Sequence, residues 1–309
     1  MNKRREFIKT VLVGGILLGL SNTSLGALTS GAMVKITILH TNDMHSHIDP
    51  FPDNDPKYPG LGGFARRAAM IKKIRSIEKN VLLFDAGDVY QGSPYFNLYG
   101  GEVEFKLMSE AGYDAMTIGN HEFDNGLDGI ASQLKNVNFT LISSNYDFSD
   151  TVLAGRVEPY KIYKVDGVVI GVFGLGIELD GLVNKKAYGS TKYLNPLEKA
   201  AEISHFLKKE LKCDLVICLS HLGYRYKDNK VSDVVLAKQS KNIDLIIGGH
   251  THTFIDNPYV LRNSDDEEII ICQVGWAGVK LGRIDYYLVK SAGIKFADAY
   301  TKKIKKNNG

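Results

Sequence analysis

Five short segments of this 309-residue chain run from an apolar, strand-like stretch straight into residues that bind metals: ITILHTNDMHSH, VLLFDAGDVYQGS, AMTIGNHEFDNG, LVICLSHLG and LIIGGHTHTF. An apolar run that stops abruptly at Asp, Asn or His reads as a buried strand whose C-terminal end opens into a polar site. Five such ends can meet at one point. Their meeting places Asp43, His45, Asp88, Asn120, His121, His221, His250 and His252 together, a donor set suited to a two-metal hydrolytic centre.

The pieces differ in how much they say. A lone D-x-H or a GD after a strand is common in turns and caps. GNHEFD says more, because a polar string between an apolar run and a glycine has no packing purpose, and GGHTH adds two histidines spaced i, i+2. Taken in order, D-x-H, GD, GNHE, H and GHTH resemble the calcineurin-like metallophosphoesterase superfamily. HTNDMHSH, GDVYQGS, GNHEFD and GGHTHTF are similar to its 5′-nucleotidase branch, and the resemblance runs from about Ile36 to about Tyr287.

The chemistry accounts for the residue types. Cleaving a phosphate ester needs a nucleophile at neutral pH and compensation of charge on the phosphoryl oxygens, and two metals ~3.5–4 Å apart supply both by acidifying water and clamping the ester. A ligand shared by both ions must be a carboxylate. The resemblance implies that Asp88 is this bridge, that Asp43, His45 and His252 complete one metal, and that Asn120, His221 and His250 complete the other. The mixed oxygen and nitrogen donors suit Zn, Mn, Fe or Co better than Ca. The resemblance gives His121 a different role, in which it contacts the substrate phosphate together with Asn120 and is oriented by Asp124 as a general acid. A carboxylate on one imidazole nitrogen raises the basicity of the ring and fixes its tautomer.

Other polar residues have plainer readings. In PLEKAAEISHFLKKELK the apolar stripe is Leu197, Ala200, Ser204, Leu207 and Leu211, which turns His205 to solvent with Glu198, Glu202 and Lys209. His40 and His47 flank the D-x-H, either orienting ligands or packing at a strand end. Cys213, Cys218 and Cys272 lie in or beside apolar runs and read as free buried thiols, with a bridge from Cys272 to either of the others as the alternative.

At the N-terminus, KRREFIK and then TVLVGGILLGLSNTSLGA carry a charged start, an apolar stretch and small residues near Ser24 to Ala27, which predicts an export signal over residues 1–26. The apolar stretch is too short for a membrane span, so no stable membrane anchor is expected. Arg4-Arg5-Glu6-Phe7-Ile8-Lys9 resembles a twin-arginine signal with Lys3 where Ser or Thr is usual, implying a periplasmic or otherwise exported protein. The segment holds Lys3, Arg4, Arg5 and Lys9 against Glu6, a net +3, so the formal +3 of the chain falls to zero without it. No nucleic-acid surface is then indicated.

A hydrophobic share of 44% can bury a large core, and no Pro-rich linker or repeat divides the chain. One catalytic domain over 33–290 and a basic, solvated tail over 291–309 follow. Periodicity predicts α/β with active residues at strand ends. A helix lies in GGFARRAAMIKKIRSIEKN, with Phe64, Met70, Ile71, Ile74 and Ile77 on its apolar face, a second is capped by Asn195-Pro196, and 257–268 is a polar excursion. The resemblance narrows this to a four-layer α/β/β/α sandwich of two mixed sheets. It also implies a second, C-terminal nucleotide-binding domain that this sequence does not contain. Three readings result: an exported nucleotidase whose recognition domain is a separate chain, a phosphomonoesterase or phosphodiesterase of broad or non-nucleotide specificity, and a non-catalytic metal-binding subunit.

Overall fold

Seven buried residues in a row, Leu215–His221, announce a strand covered on both faces, the mark of a parallel sheet sealed by other layers. The computed structural model describes residues 33–228, 230–290 and 293–306. Its first six-stranded sheet has the order β14 (Ile294–Lys303), β13 (Lys280–Val289), β1 (Val34–Thr41), β2 (Val81–Asp85), β3 (Ala115–Thr117), β4 (Thr140–Ile142). The second has the order β11 (Tyr259–Arg262), β12 (Glu268–Cys272), β10 (Leu245–Gly248), β9 (Leu215–His221), β7 (Val168–Gly176), β6 (Tyr160–Val165). A short pair, β5 (Tyr146–Asp147) and β8 (Lys192–Tyr193), stands apart.

Strands β1 to β4 pair in parallel, as do β7, β9, β10 and β12, whereas β6 and β11 run antiparallel at the edges. Edge strand β6 exposes Lys161 and Lys164, which discourages further pairing. Helices α1 (Phe64–Arg75), α2 (Pro94–Tyr99), α3 (Glu102–Ala111) and α4 (Gly126–Gln133) cover one side of the first sheet: Phe64, Ile71, Ile74, Phe105 and Met108 pack with Leu39, Leu83 and Leu141. After the short α5 (Lys185–Tyr188), helices α6 (Pro196–His205) and α7 (Asp233–Gln239) cover the second, where Ala200, Ile203, Leu236 and Ala237 meet Val216, Cys218 and Ile246. The alternate residues Leu215, Ile217 and Leu219 are equally buried and point the other way, toward the first sheet. Each such side chain contributes about 1.5–3 kcal/mol on burial. The result is the helix–sheet–sheet–helix sandwich expected.

Asn195 caps α6 by accepting from the N–H groups of Leu197 and Glu198, with Pro196 in the first turn, and His205 is exposed. All three cysteines are free and buried. Three expectations change. Residues 294–303 are a strand of the first sheet, and Ile304 is fully buried, so only part of the expected basic tail is solvated. The excursion 257–268 contains edge strand β11, paired to β12. Helix α1 buries Arg67 completely and leaves Ile77 beyond its end, exposed. The predicted signal at 1–26 lies outside the described residues, and among those residues no helix is long and apolar enough to cross a membrane.

Contacts divide the chain into two units. The larger, Ile36–Asp285 with Asp298–Gly309, carries every candidate ligand. In the smaller, Met1–Lys35 with Tyr286–Ala297, Tyr287 stacks on Phe296 with centroids 4.8 Å apart, and Lys35 Nζ lies 5.8 Å from the Tyr287 ring centroid.

Candidate metal centre

The C-terminal ends of β1, β2, β3, β9 and β10 deliver the candidate residues, and the backbone bends sharply to do so. Asp43, His45, Asp88, His250 and His252 all have positive φ, of 48°, 46°, 59°, 70° and 51°. Outside glycine that conformation costs about 1–3 kcal/mol per residue and persists only where surrounding contacts impose it.

Those contacts are visible. The buried Glu122 carboxylate accepts the N–H groups of Asp88 (2.9 Å), Val89 (2.7 Å), Tyr90 (3.3 Å) and Gly119 (2.6 Å), joining the loops after β2 and β3. Asn42 Nδ2 donates to Asp43 Oδ2 (2.7 Å) and to the Gly275 carbonyl (2.6 Å), while its Oδ1 accepts from Val274 N–H (2.9 Å). Gln273 accepts from Thr253 N–H (2.6 Å) and donates to the Gly249 carbonyl, which pins the GGHTHT loop. Asp43 Oδ1 takes the His250 N–H at 2.9 Å, and Asp88 Oδ1 takes the His121 N–H at 2.8 Å.

Ligand-type atoms fall into three overlapping groups, each within 4.8 Å: Asp43, His45 and His252; Asp88, His221 and His250; and His45, Asp88 and His121. Asn120 Oδ1 lies 2.9 Å from His250 Nδ1, which attaches it to the second group. His221 shows that these atoms suit a cation. Its Nδ1 donates to the Ala86 carbonyl (2.6 Å), so in the neutral ring Nε2 is a bare lone pair, yet it faces Asp88 Oδ2 at 3.0 Å without forming a hydrogen bond. Two acceptors so placed repel unless positive charge, a proton on Nε2 or a cation in its place, lies between them. His45 repeats the pattern: Nδ1 is directed at the Tyr90 carbonyl (3.2 Å) and Nε2 meets His252 Nε2 at 2.8 Å.

With no ion between them the two groups hold a proton instead: burial opposes charge on both His221 and Asp88, but Asp88 raises His221 to about 10, and His221, with help from His45 and His121, holds Asp88 well below the usual carboxylate range, so a cation bound here would displace the His221 Nε2 proton. Burial, then the proximity of His221, lowers His250 to about 3, which keeps it neutral as a ligand must be. His121 moves the opposite way: its hydrogen bond to Asp124 (2.8 Å) raises it despite partial burial. Glycine makes the crowding feasible, since a Cβ on Gly119 would lie 2.3 Å from Asp88 Oδ1, and one on Gly249 would lie 2.8 Å from His221 Nδ1.

The sequence profile of the calcineurin-like phosphoesterases matches residues 36–254, which contain every candidate ligand together with His121 and Asp124. The chain belongs to the calcineurin-like phosphoesterase family. Among its relatives are a snake venom 5′-nucleotidase of Naja atra, 33% identical over 81% of this chain and 50% of that protein, and the trifunctional nucleotide phosphoesterase YfkN of Bacillus subtilis, 34% identical over 81% of this chain and 18% of that protein. The structure of a 5′-nucleotidase precursor from Thermus thermophilus superposes with a TM-score of 0.80 at 29% identity, covering 88% of this chain and 55% of that one. This calcineurin-like phosphoesterase spans about half the length of the first of its curated relatives, a snake venom 5′-nucleotidase of Gloydius brevicauda, at 47%.

All nine residues singled out in the sequence of this phosphoesterase, Asp124 included, lie at the one site. Reading the sequence missed the fasteners. Glu122 and Asn42 sit inside the strings GNHEFD and HTNDMHSH, so the signal was in view but unassigned; Gln273 and Trp276 follow β12 with no local cue. His40 packs away from the site, fully buried, against Gly282, and burial lowers it to about 3. His47 joins an aromatic group, stacked on Phe51 at 4.9 Å and edge-on to Trp276 at 5.2 Å.

Proposed function

We propose that this chain hydrolyses phosphate esters, 5′-nucleotides among them, using two divalent cations that share Asp88. Asp43, His45 and His252 would hold one ion, and Asn120, His221 and His250 the other, with Zn, Mn, Fe or Co suited to the mixed donors. When bound, such ions supply Lewis acidity to the phosphoryl oxygens and lower the pKa of attacking water. The observation that supports the proposal is the convergence of Asp43, His45 and His252 and of Asp88, His221 and His250, each set with ligand-type atoms within 4.8 Å, with His45 near Asp88 linking the two.

The protein's own groups account for the rest of the reaction. Asp124 holds His121 Nδ1, leaving Nε2 to face the site, and that hydrogen bond shifts the ring toward its protonated form. His121 then donates that proton to the departing ester oxygen. Asn120, beside it, orients the phosphate. The nucleotide class rests on the 5′-nucleotidases among the relatives. We also propose export through the twin-arginine-like leader, Arg4-Arg5.

The test is metal stoichiometry of the purified chain together with turnover of p-nitrophenyl phosphate, bis(p-nitrophenyl) phosphate and AMP. Two ions per chain and monoester hydrolysis are expected. Saturation at one ion rejects the shared-carboxylate arrangement, and two ions without turnover of any ester rejects the enzyme reading in favour of a metal-binding role.

A further inference from the structure

His252 differs from the other proposed ligands. Its side chain is 40% exposed, against 7% for His45 and none for His221. His45 and His221 each have a ring nitrogen directed at a backbone carbonyl, the outer contact that ordinarily fixes a metal-binding imidazole. Among the described residues no group bonds His252 Nδ1. Its ring instead lies parallel to the indole of Trp276, with centroids 5.7 Å apart and planes 6° apart.

Trp276 is itself firmly placed. Its Nε1 donates to Tyr58 Oη at 3.1 Å, and the rings of His47, Phe51 and Tyr58 meet it edge-on at 5.2, 6.1 and 6.1 Å. The next residue, Ala277, donates its N–H to the Asp43 carbonyl (2.8 Å), which ties the indole to the loop carrying another ligand of the same proposed ion. We infer that Trp276 is a positioning residue for His252, its flat face setting the orientation of an exposed imidazole that has no carbonyl to hold it. This rests on the proposed metal-binding role of His252. A flexible imidazole would lose rotational freedom on binding an ion, and a pre-set one loses less, so the stack raises affinity for the ion held by Asp43, His45 and His252.

The full chain titrated with Mn²⁺, with free ion followed by paramagnetic resonance, tests this without measuring turnover. Trp276→Ala and His252→Ala should weaken the same ion, each by roughly 10–100-fold, while Trp276→Phe, which keeps a flat ring, should stay within about threefold of wild type. Trp276→Leu, which fills space without a ring face, takes the place of Ala if the truncated variant does not fold. Wild-type affinity in Trp276→Ala or Trp276→Leu, or equal weakening of both ions with no rescue by Phe, overturns the inference. Because Trp276 is the only tryptophan in the chain, the stack is read separately: metal-free His252→Ala should change the emission, and an unchanged spectrum overturns the contact. If wild type binds a single ion, the dinuclear proposal fails, and Trp276 is then judged by whether its loss weakens that ion as His252→Ala does.

Discussion

Replacing Glu122 with Gln tests how the strained ligand loops are held. In the native arrangement Oε1 accepts from Val89 and Tyr90, and Oε2 from Asp88 and Gly119. A glutamine amide can present its oxygen to only one of these pairs, and its NH₂ then confronts two N–H donors. Each buried donor left unpaired costs about 1–3 kcal/mol. Gln would keep the tighter pair, Asp88 and Gly119, and since the abandoned Tyr90 contact is already long at 3.3 Å, the expected loss is about 2–4 kcal/mol. At roughly 2–4 °C per kcal/mol the melting temperature of the chelator-treated protein should fall by about 5–15 °C. Metal affinity should fall as well, because the Asp88 backbone is released. Burial and the neighbouring Asp88 push the Glu122 carboxyl up to about 7, but all four partners are donors, which demands the ionised form. A Gln variant that melts within about 2 °C of wild type would show that the native group is protonated and that this reasoning is wrong.

Three further outcomes are expected. Asp88→Asn keeps the shape but removes the shared charge, so elemental analysis should find one or both ions lost and activity at least ~10²-fold lower; two ions and full activity would reject the bridge. His121→Ala should retain its metal and lose roughly 10²–10⁴-fold in kcat, less for esters with good leaving groups, whereas loss of metal would make His121 a ligand, as its place beside His45 and Asp88 permits. Replacing Arg4 and Arg5 by Lys should leave active precursor in the cytoplasm on cell fractionation, and unchanged delivery would point to a route that does not read the arginine pair.

What could be read from the sequence was what short stretches determine. Strand ends at Asp43, Asp88, Asn120, His221 and His250 were legible because a buried run and its polar stop are adjacent in the chain. The same holds for the Asn195 cap and for the exposed face of His205. The rest depends on partners far away. Glu122 works on Asp88 34 positions earlier, Gln273 on Gly249 24 positions earlier, and neither pairing has a periodic signature. The strand at 294–303 is held by its place beside β13 in the first sheet, a pairing that the lysines in and after it do not announce. Trp276 was invisible as a buttress because its neighbour in space, His252, lies on the other side of strands β11 and β12 in the chain.

Asp43 accepts the His250 N–H across 207 residues, and Val274 donates to Asn42 across 232, so the centre exists only when the beginning and end of the domain have met. Closing loops of that length is slow and entropically opposed, and nothing within β1 to β3 alone can reproduce the full donor set. A cation that recognises only the closed arrangement is therefore a ligand of the native state, adding about 2.7 kcal/mol at a hundredfold excess over its dissociation constant. During synthesis the first-made loops, with Asp43, His45 and Asp88, emerge well before His221, His250 and His252 and offer at most a weak partial site. The complete set of candidate ligands therefore comes together only at the end of folding, once the segment carrying His250 and His252 has closed on the one carrying Asp43.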